Sequence, residues 1–189
     1  QAEYPEAAKP YSYISNTELH WIRESFGLRS GQTIVDMGCG HGGPGLWLAR
    51  EMALQLVGID SSATAIATAK QRISEFDLAG QAQFHVAEFC HTALSSAAYD
   101  GAISIDTLVF VPDKLAAFSE VARVLKQQAR FIFTTWEFVA ADALQSHKTL
   151  LEQAGFEVEQ YLEPAGWKAW QRGVYEGILA AKKELIAEM

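Results

Sequence analysis

Short apolar runs alternate along this chain with amphipathic runs about twice as long, an order that few folds accommodate. Thr33–Met37, Leu54–Ile59, Ala82–Val86, Gly101–Ile105, Arg130–Thr135 and Phe156–Leu162 read as strands. Between them lie helix signals. Ser15 and Glu18 form a capping box ahead of a helix that lines up Leu19, Ile22 and Phe26. Pro44–Met52 starts with proline near its first turn, and Ser62–Phe76 starts behind a capping serine. Asp113–Leu125 follows Pro112, and Ala143–Ala154 is stopped by Gly155. Such alternation builds βαβ units with right-handed crossovers. The expected class is α/β: a doubly wound, mainly parallel sheet with helices on both faces. Sheets of this kind bind ligands beyond the carboxyl ends of their strands, so residues just after each strand matter most.

Length and charge narrow the partners. At 189 residues the chain is one domain by size, able to bury roughly 70% of its unfolded surface. Its net charge of −8 leaves no basic face for a phosphate backbone or an anionic membrane. No apolar run approaches the ~20 residues of a membrane span, and no signal peptide is visible. Cys39 and Cys90 lack a CxxC partner, which argues against a disulfide framework or a zinc site and fits a cytoplasmic location. No His/Asp/Glu spacing resembles a metal site, so no metal is expected. The expected partner is a small-molecule substrate, without nucleic acid or membrane; assembly as a homo-oligomer stays open.

After the first strand comes Asp36-Met37-Gly38-Cys39-Gly40-His41-Gly42-Gly43-Pro44-Gly45. Glycines there allow a tight turn and a close approach of ligand to backbone amides. Gly38, Gly40 and Gly43 also satisfy the dinucleotide pattern GxGxxG, a weak signal on its own. Asp36 at the mouth of the loop would repel a pyrophosphate and attract an ammonium or sulfonium. No Lys or Arg lies between Asp36 and Leu48 to offset phosphate charge. A cationic, phosphate-free adenosine ligand suits such a loop better. Further along, Asp60 ends the second strand 22 residues after Gly38, near the spacing of a carboxylate that takes ribose hydroxyls.

The stretch Val35-Asp36-Met37-Gly38-Cys39-Gly40-His41-Gly42 resembles the first motif of class I S-adenosylmethionine-dependent methyltransferases, particularly the branch that modifies small molecules. The resemblance runs from about Gly31 to Leu162 and implies a Rossmann-like fold with S-adenosylmethionine as cofactor. It assigns cofactor contacts to Asp36, Gly38, Cys39 and Gly40 in the loop, and to Asp60 and Ser61 after the second strand. It also implies an adenine contact at Glu88-Phe89, where the family more often has Asp, and a place near the reacting sulfonium for Asp106. Where relatives have Pro and two Gly before the fifth strand, this chain has Gln127-Gln128-Ala129.

Methyl transfer from a sulfonium needs alignment and a water-poor site, and a base only where the acceptor carries a proton that must leave. Related natural-product enzymes often carry a histidine after the fourth strand; Leu108-Val109-Phe110-Val111-Pro112 has none. The candidates for acceptor chemistry are His147 and Glu137. Tyr4, Tyr11, Tyr13 and Trp21 suggest an aromatic cover for a largely apolar acceptor. The expected organisation is one domain with an N-terminal helical lid over 1–30, a cofactor-binding core over 31–165 and a C-terminal helix over 166–189. That last helix would align Trp170, Val174, Ile178, Ala181 and Leu185, leaving no candidate for the family's antiparallel seventh strand. Two other readings remain open: a protein of the same fold that binds the cofactor as a non-methylating cyclase or binding module, and an NAD-dependent oxidoreductase.

Overall fold

The fold was obtained as a computed structural model that describes residues 3–10, 12–135, 142–163, 166–173 and 176, with 142–146 through their backbone alone. Five strands form one parallel sheet in the order β3-β2-β1-β4-β5. They are β1 (Thr33–Met37), β2 (Gln55–Asp60), β3 (Ala82–Val86), β4 (Tyr99–Ile105) and β5 (Leu125–Thr134). β1 is central and pairs with β2 on one side and β4 on the other. The strand ending at Asp60 and the strand preceding Asp106 therefore flank it, and the strand order reverses there, as the alternation requires.

The helices begin where short polar side chains satisfy free backbone N–H groups. Ahead of α1 (Asn16–Ser25), Ser15 Oγ accepts from Glu18 N at 3.2 Å while Ser15 N donates to Glu18 Oε2 at 2.8 Å. Ser62 Oγ accepts from Ala65 N to open α3 (Ala63–Arg72), and Asp113 Oδ1 accepts from Ala116 N to open α4 (Lys114–Val124). Each such cap stabilises its helix by about 1 kcal/mol. α2 spans Gly43–Met52 and α5 spans Asp142–Gln153. The long helix expected through Phe76 ends at Arg72 and tightens into a 3-10 turn over Ile73–Phe76.

Because successive strand residues point to opposite faces, the sheet divides the core in two. Ile34, Ile103 and Ile132 face α1, α2 and α3, joining Leu19, Ile22, Leu46 and Ile66. Val35, Ala102, Phe131 and Phe133 face α4 and α5, joining Phe118, Val121 and Leu151. Asp100 locks the opposite edge of the sheet by accepting from Thr33 N at 2.9 Å, Gln32 Nε2 at 3.0 Å and Lys126 Nζ at 2.7 Å.

Two strand expectations are corrected. Phe156–Leu162 is not a strand. The period-two pattern holds at its start, with Phe156 and Val158 half-buried against the α4/α5 side of the core and Glu157 exposed. No ladder forms on it, and beyond Val158 the side chains face solvent as far as Glu163. β5, in turn, starts at Leu125 rather than Arg130, because Leu125 pairs with Tyr99 and Arg130 with Gly101 across an irregularity. That irregularity turns through Gln128, whose φ is +63°.

By its internal contacts the chain falls into two compact units, Gln1–Val158 and Glu159–Met189. In the second, residues 167–173 are helical, and Trp167 Nε1 donates to Glu163 Oε1 at 2.8 Å. Of the apolar stripe expected there only Trp170 is described; Val174, Ile178, Ala181 and Leu185 lie outside the described residues. Among the described residues no helix is long and apolar enough to cross a membrane.

Left-handed backbone costs a β-carbon-bearing residue roughly 1–2 kcal/mol, partly offset by the greater unfolded-state freedom of glycine. Gln128→Gly is therefore expected to stabilise the fold by about 0.5–1 kcal/mol, read as a rise in the urea midpoint at constant slope.

Candidate functional site

Three aspartates mark the carboxyl edge of the sheet: Asp36 within β1, Asp60 at the end of β2 and Asp106 just after β4. The glycine loop folds over this edge. Gly38 N and Cys39 N both donate to Ile59 O at 2.9 Å, and Gly42 N closes back on Cys39 O at 2.8 Å. Gly38 has φ +75°, and a β-carbon there would lie 2.2 Å from Thr107 Cγ2, while Thr107 Oγ1 donates to Gly38 O at 2.9 Å. The loops after β1 and β4 thus touch, and only glycine fits at the contact. At Gly40, by contrast, a β-carbon would meet nothing within 4 Å, so the loop is open at its tip.

Asp36 is buried beneath the loop. Its carboxyl takes the N–H of Gly45, at the start of α2, and a β-carbon on Gly45 would sit 2.5 Å from Asp36 Oδ2. Gly45 is needed there for room rather than for backbone conformation. Burial, and secondarily the charge of Asp60, pushes the Asp36 carboxyl up to about 8 against that hydrogen bond. Burial and the same two carboxylates hold the Cys39 thiol far above its ordinary range, so it stays protonated and is no nucleophile.

Asp60 is half-buried and holds both sides of its turn: Oδ2 accepts from Gly40 N at 2.9 Å and Oδ1 from Ser62 N at 2.8 Å. Each carboxylate oxygen keeps a lone pair beyond those bonds. Ser61 is exposed beside it. Asp106 adopts φ +54° and accepts from Tyr13 N at 2.8 Å and from Thr134 Oγ1 at 2.7 Å. Burial chiefly raises its carboxyl, opposed by those two bonds. Glu88 is exposed in a turn after β3, its carbonyl accepting from His91 N at 3.0 Å, while the Phe89 ring is buried in the α4/α5 side of the core.

The N-terminal segment reaches this edge at two points. Tyr13 meets Asp106, and Ala8 O lies where a β-carbon on Gly43 would come within 2.3 Å. The buried Arg72 joins the segment to the loop, donating to Ala8 O at 2.9 Å and His41 O at 3.1 Å. Trp21 and the buried Ala8, Ile14, Leu19 and Ile22 belong to the α1 side of the core. The segment thus covers core and touches the loop at once. Tyr11 lies outside the described residues, as does Glu137. His147 is buried among rings, 6.2 Å from Phe118 and 6.5 Å from Phe133 between centroids. Among the described residues no three His, Cys, Asp or Glu side chains are placed to hold a metal ion.

Arg72, Thr107 and Thr134 were not legible as site residues. Thr107 adjoins Asp106 and could have been inspected for that reason; nothing local marks Arg72 or Thr134, whose partners lie 64 and 28 residues away.

A family model described as a methyltransferase domain matches residues 28–177. Methyltransferase phqN of Penicillium fellutanum is 28% identical over 141 residues, 75% of this chain and 43% of that protein. Methyltransferase GfsG of Streptomyces halstedii is 25% identical over 126 residues, 67% of this chain and 45% of that one. The chain thus spans less than half the length of these two relatives. Among solved structures, Haemonchus contortus phosphoethanolamine N-methyltransferase 2 with S-adenosyl-L-methionine superposes with a TM-score of 0.78 at 21% identity, covering 94% of this chain and 46% of that one. The [4+2]-cyclase SpnF gives 0.79 at 25% identity, covering 90% and 67%. With most of its length inside the matched family model, the chain belongs to the class I methyltransferase domain family.

Proposed function

We propose that this chain binds S-adenosylmethionine at the carboxyl edge of its sheet and transfers the methyl group to a small, largely apolar metabolite. The observation that carries the reading is the buried Asp36 carboxyl under a glycine loop open at Gly40, with Asp60 and Asp106 on either side. Family membership supports the same activity.

The residues fit the cofactor. Asp60 has one acceptor position left on each oxygen, the number a ribose diol requires. Glu88, exposed in the turn after β3, is placed to accept from an adenine amino group. Asp36 and Asp106 offer negative charge to the amino-acid end, where an ammonium and a sulfonium would each favour ionised carboxylates. A bound cofactor supplies an electrophilic methyl group; the chain's own residues align it, exclude water and hold the acceptor. Tyr13, fixed to Asp106 through its backbone, brings the N-terminal segment to that place. Phe110, 75% exposed in the turn after Asp106, offers apolar surface beside it. His147, set among phenyl rings, and Glu137 remain candidates for a base only where the acceptor must lose a proton.

Because a [4+2]-cyclase shares the fold, methyl transfer has to be read directly, as S-adenosylhomocysteine formed with candidate acceptors. Calorimetry is expected to show S-adenosylmethionine bound in preference to NAD. Asp60→Ala should weaken that binding by roughly 1–3 kcal/mol. Tighter NAD binding would reverse the assignment, and an unchanged affinity in the variant would remove Asp60 from the site.

The raised Asp36 carboxyl makes a pH prediction. Free protein holds its proton up to about 8, and a cationic ligand favours the ionised form. Binding therefore releases a proton below that pH, and affinity falls as pH drops, by up to about tenfold per unit. Titrations between about pH 6 and pH 8 should show affinity rising with pH in the natural protein and a flatter profile in Asp36→Asn.

A further inference from the structure

The connection between β3 and β4 has no regular structure, yet it carries the Glu88-Phe89 turn at the site's edge. Chain of that kind holds one shape only where side chains tie it down. At its start, Ala87 N donates to Asp60 O at 3.0 Å, setting the turn against the end of β2. The Phe89 ring anchors its middle in the core. Its far side is held by α4.

There Glu120, 9% exposed, points out of the helix into the loop. Its Oε1 accepts from Thr92 N at 2.9 Å and from Thr92 Oγ1 at 2.5 Å. Arg123, one turn along, donates to both carboxylate oxygens at 2.7 Å and reaches Ser96 Oγ at 2.8 Å. Thr92 Oγ1 in turn accepts from Leu94 N at 3.1 Å. The two Arg123 bonds chiefly, with those from Thr92, pull the Glu120 carboxyl down to about 2, so the clamp stays charged across the neutral and mildly acidic range.

A buried carboxylate with this many partners adds little net stability over a well-packed apolar side chain, because its desolvation offsets the attraction. What it does fix is geometry. Thr92 follows directly on the turn Glu88–His91, so the clamp and the Ala87–Asp60 bond hold that turn from both ends.

We infer that Glu120, braced by Arg123, is a positioning residue: through Thr92 it sets the height of the Glu88 turn relative to Asp60, and with it the recognition of the purine edge of the cofactor. This rests on the function proposed above. Glu88 touches the base; Glu120 acts only through the turn. Loosening the clamp should then cost discrimination at the purine amino group more than it costs binding of the rest of the ligand.

The test is calorimetry of S-adenosylhomocysteine and its inosine counterpart, in which a carbonyl replaces the amino group, on the natural protein, Glu120→Gln and Thr92→Val. The natural protein should prefer the adenosine form. In Glu120→Gln that affinity should fall about tenfold while the inosine form changes little, so the preference collapses. Thr92→Val, which keeps the side-chain shape and loses the hydroxyl, carries the same readout if Glu120→Gln does not fold. Unchanged affinity and preference in the folded variants would overturn the inference, as would equal losses for both ligands, the mark of a purely structural contact. A natural protein that binds the adenosine form without preferring it would overturn the inference alone. One that binds neither ligand would overturn the proposed function as well.

Discussion

The contact between the Asp36 carboxyl and the first turn of α2 sets the terms for everything around it. A carboxyl buried in the central strand needs a hydrogen-bond donor and close packing to be held there. Gly45 provides both, donating its N–H and leaving the space a side chain would fill. The helix must begin where it does for that donor to be in place. The loop that joins strand to helix must then turn through left-handed backbone at Gly38, Gly40 and Gly42. Gly45 follows from this buried group, whereas Gly38 makes room for Thr107 and Gly42 for Phe84.

From that fixed point the remaining elements are placed in relation to one another. Gly38 meets Thr107, so the loops after β1 and β4 are set together; Gly40 meets Asp60, so the end of β2 is set with them. The N-terminal segment is drawn in by two side chains from the body of the fold, Arg72 at Ala8 and Asp106 at Tyr13. These bonds are to backbone atoms, so they constrain where the segment runs without constraining which residues it carries. The segment serves the α1 side of the core through Ile14, Leu19 and Ile22.

What was legible in the sequence follows the range of the interactions. Caps at Ser15 and Ser62 act over three residues and were readable, as were the strands whose apolar runs are buried on both faces. That Asp36, Asp60 and Asp106 gather at the carboxyl edge was readable because each lies at or near the end of a strand run in one parallel sheet. The failures lie where partners are distant. Phe156–Leu162 carries a strand's alternation at its start but finds no ladder, and periodicity cannot say whether a neighbouring strand exists. Arg72 looks like an ordinary helix cation until Ala8, 64 residues away, is seen to need a donor. Glu120 and Arg123 look like a surface pair one helical turn apart until Thr92 buries the carboxylate. Gln128 carries no sign in the sequence of the left-handed backbone it adopts; only the fold shows it.

The charge of the site bears on turnover as well as on binding. The strand ends present three aspartates, and burial raises the carboxyls of Asp36 and Asp106. Raised carboxyls are sites short of positive charge, and they favour ligands that supply it. On the proposed reaction the ligand enters with a sulfonium and leaves without one, whereas its ammonium is unchanged. The attraction that draws the cofactor in therefore weakens as the methyl group departs, which favours exchange of spent cofactor for fresh. A phosphate-bearing ligand brings no positive charge to ionise these carboxyls, so on the proposed reading Asp36 keeps its proton against it up to about 8 and offers it no such attraction.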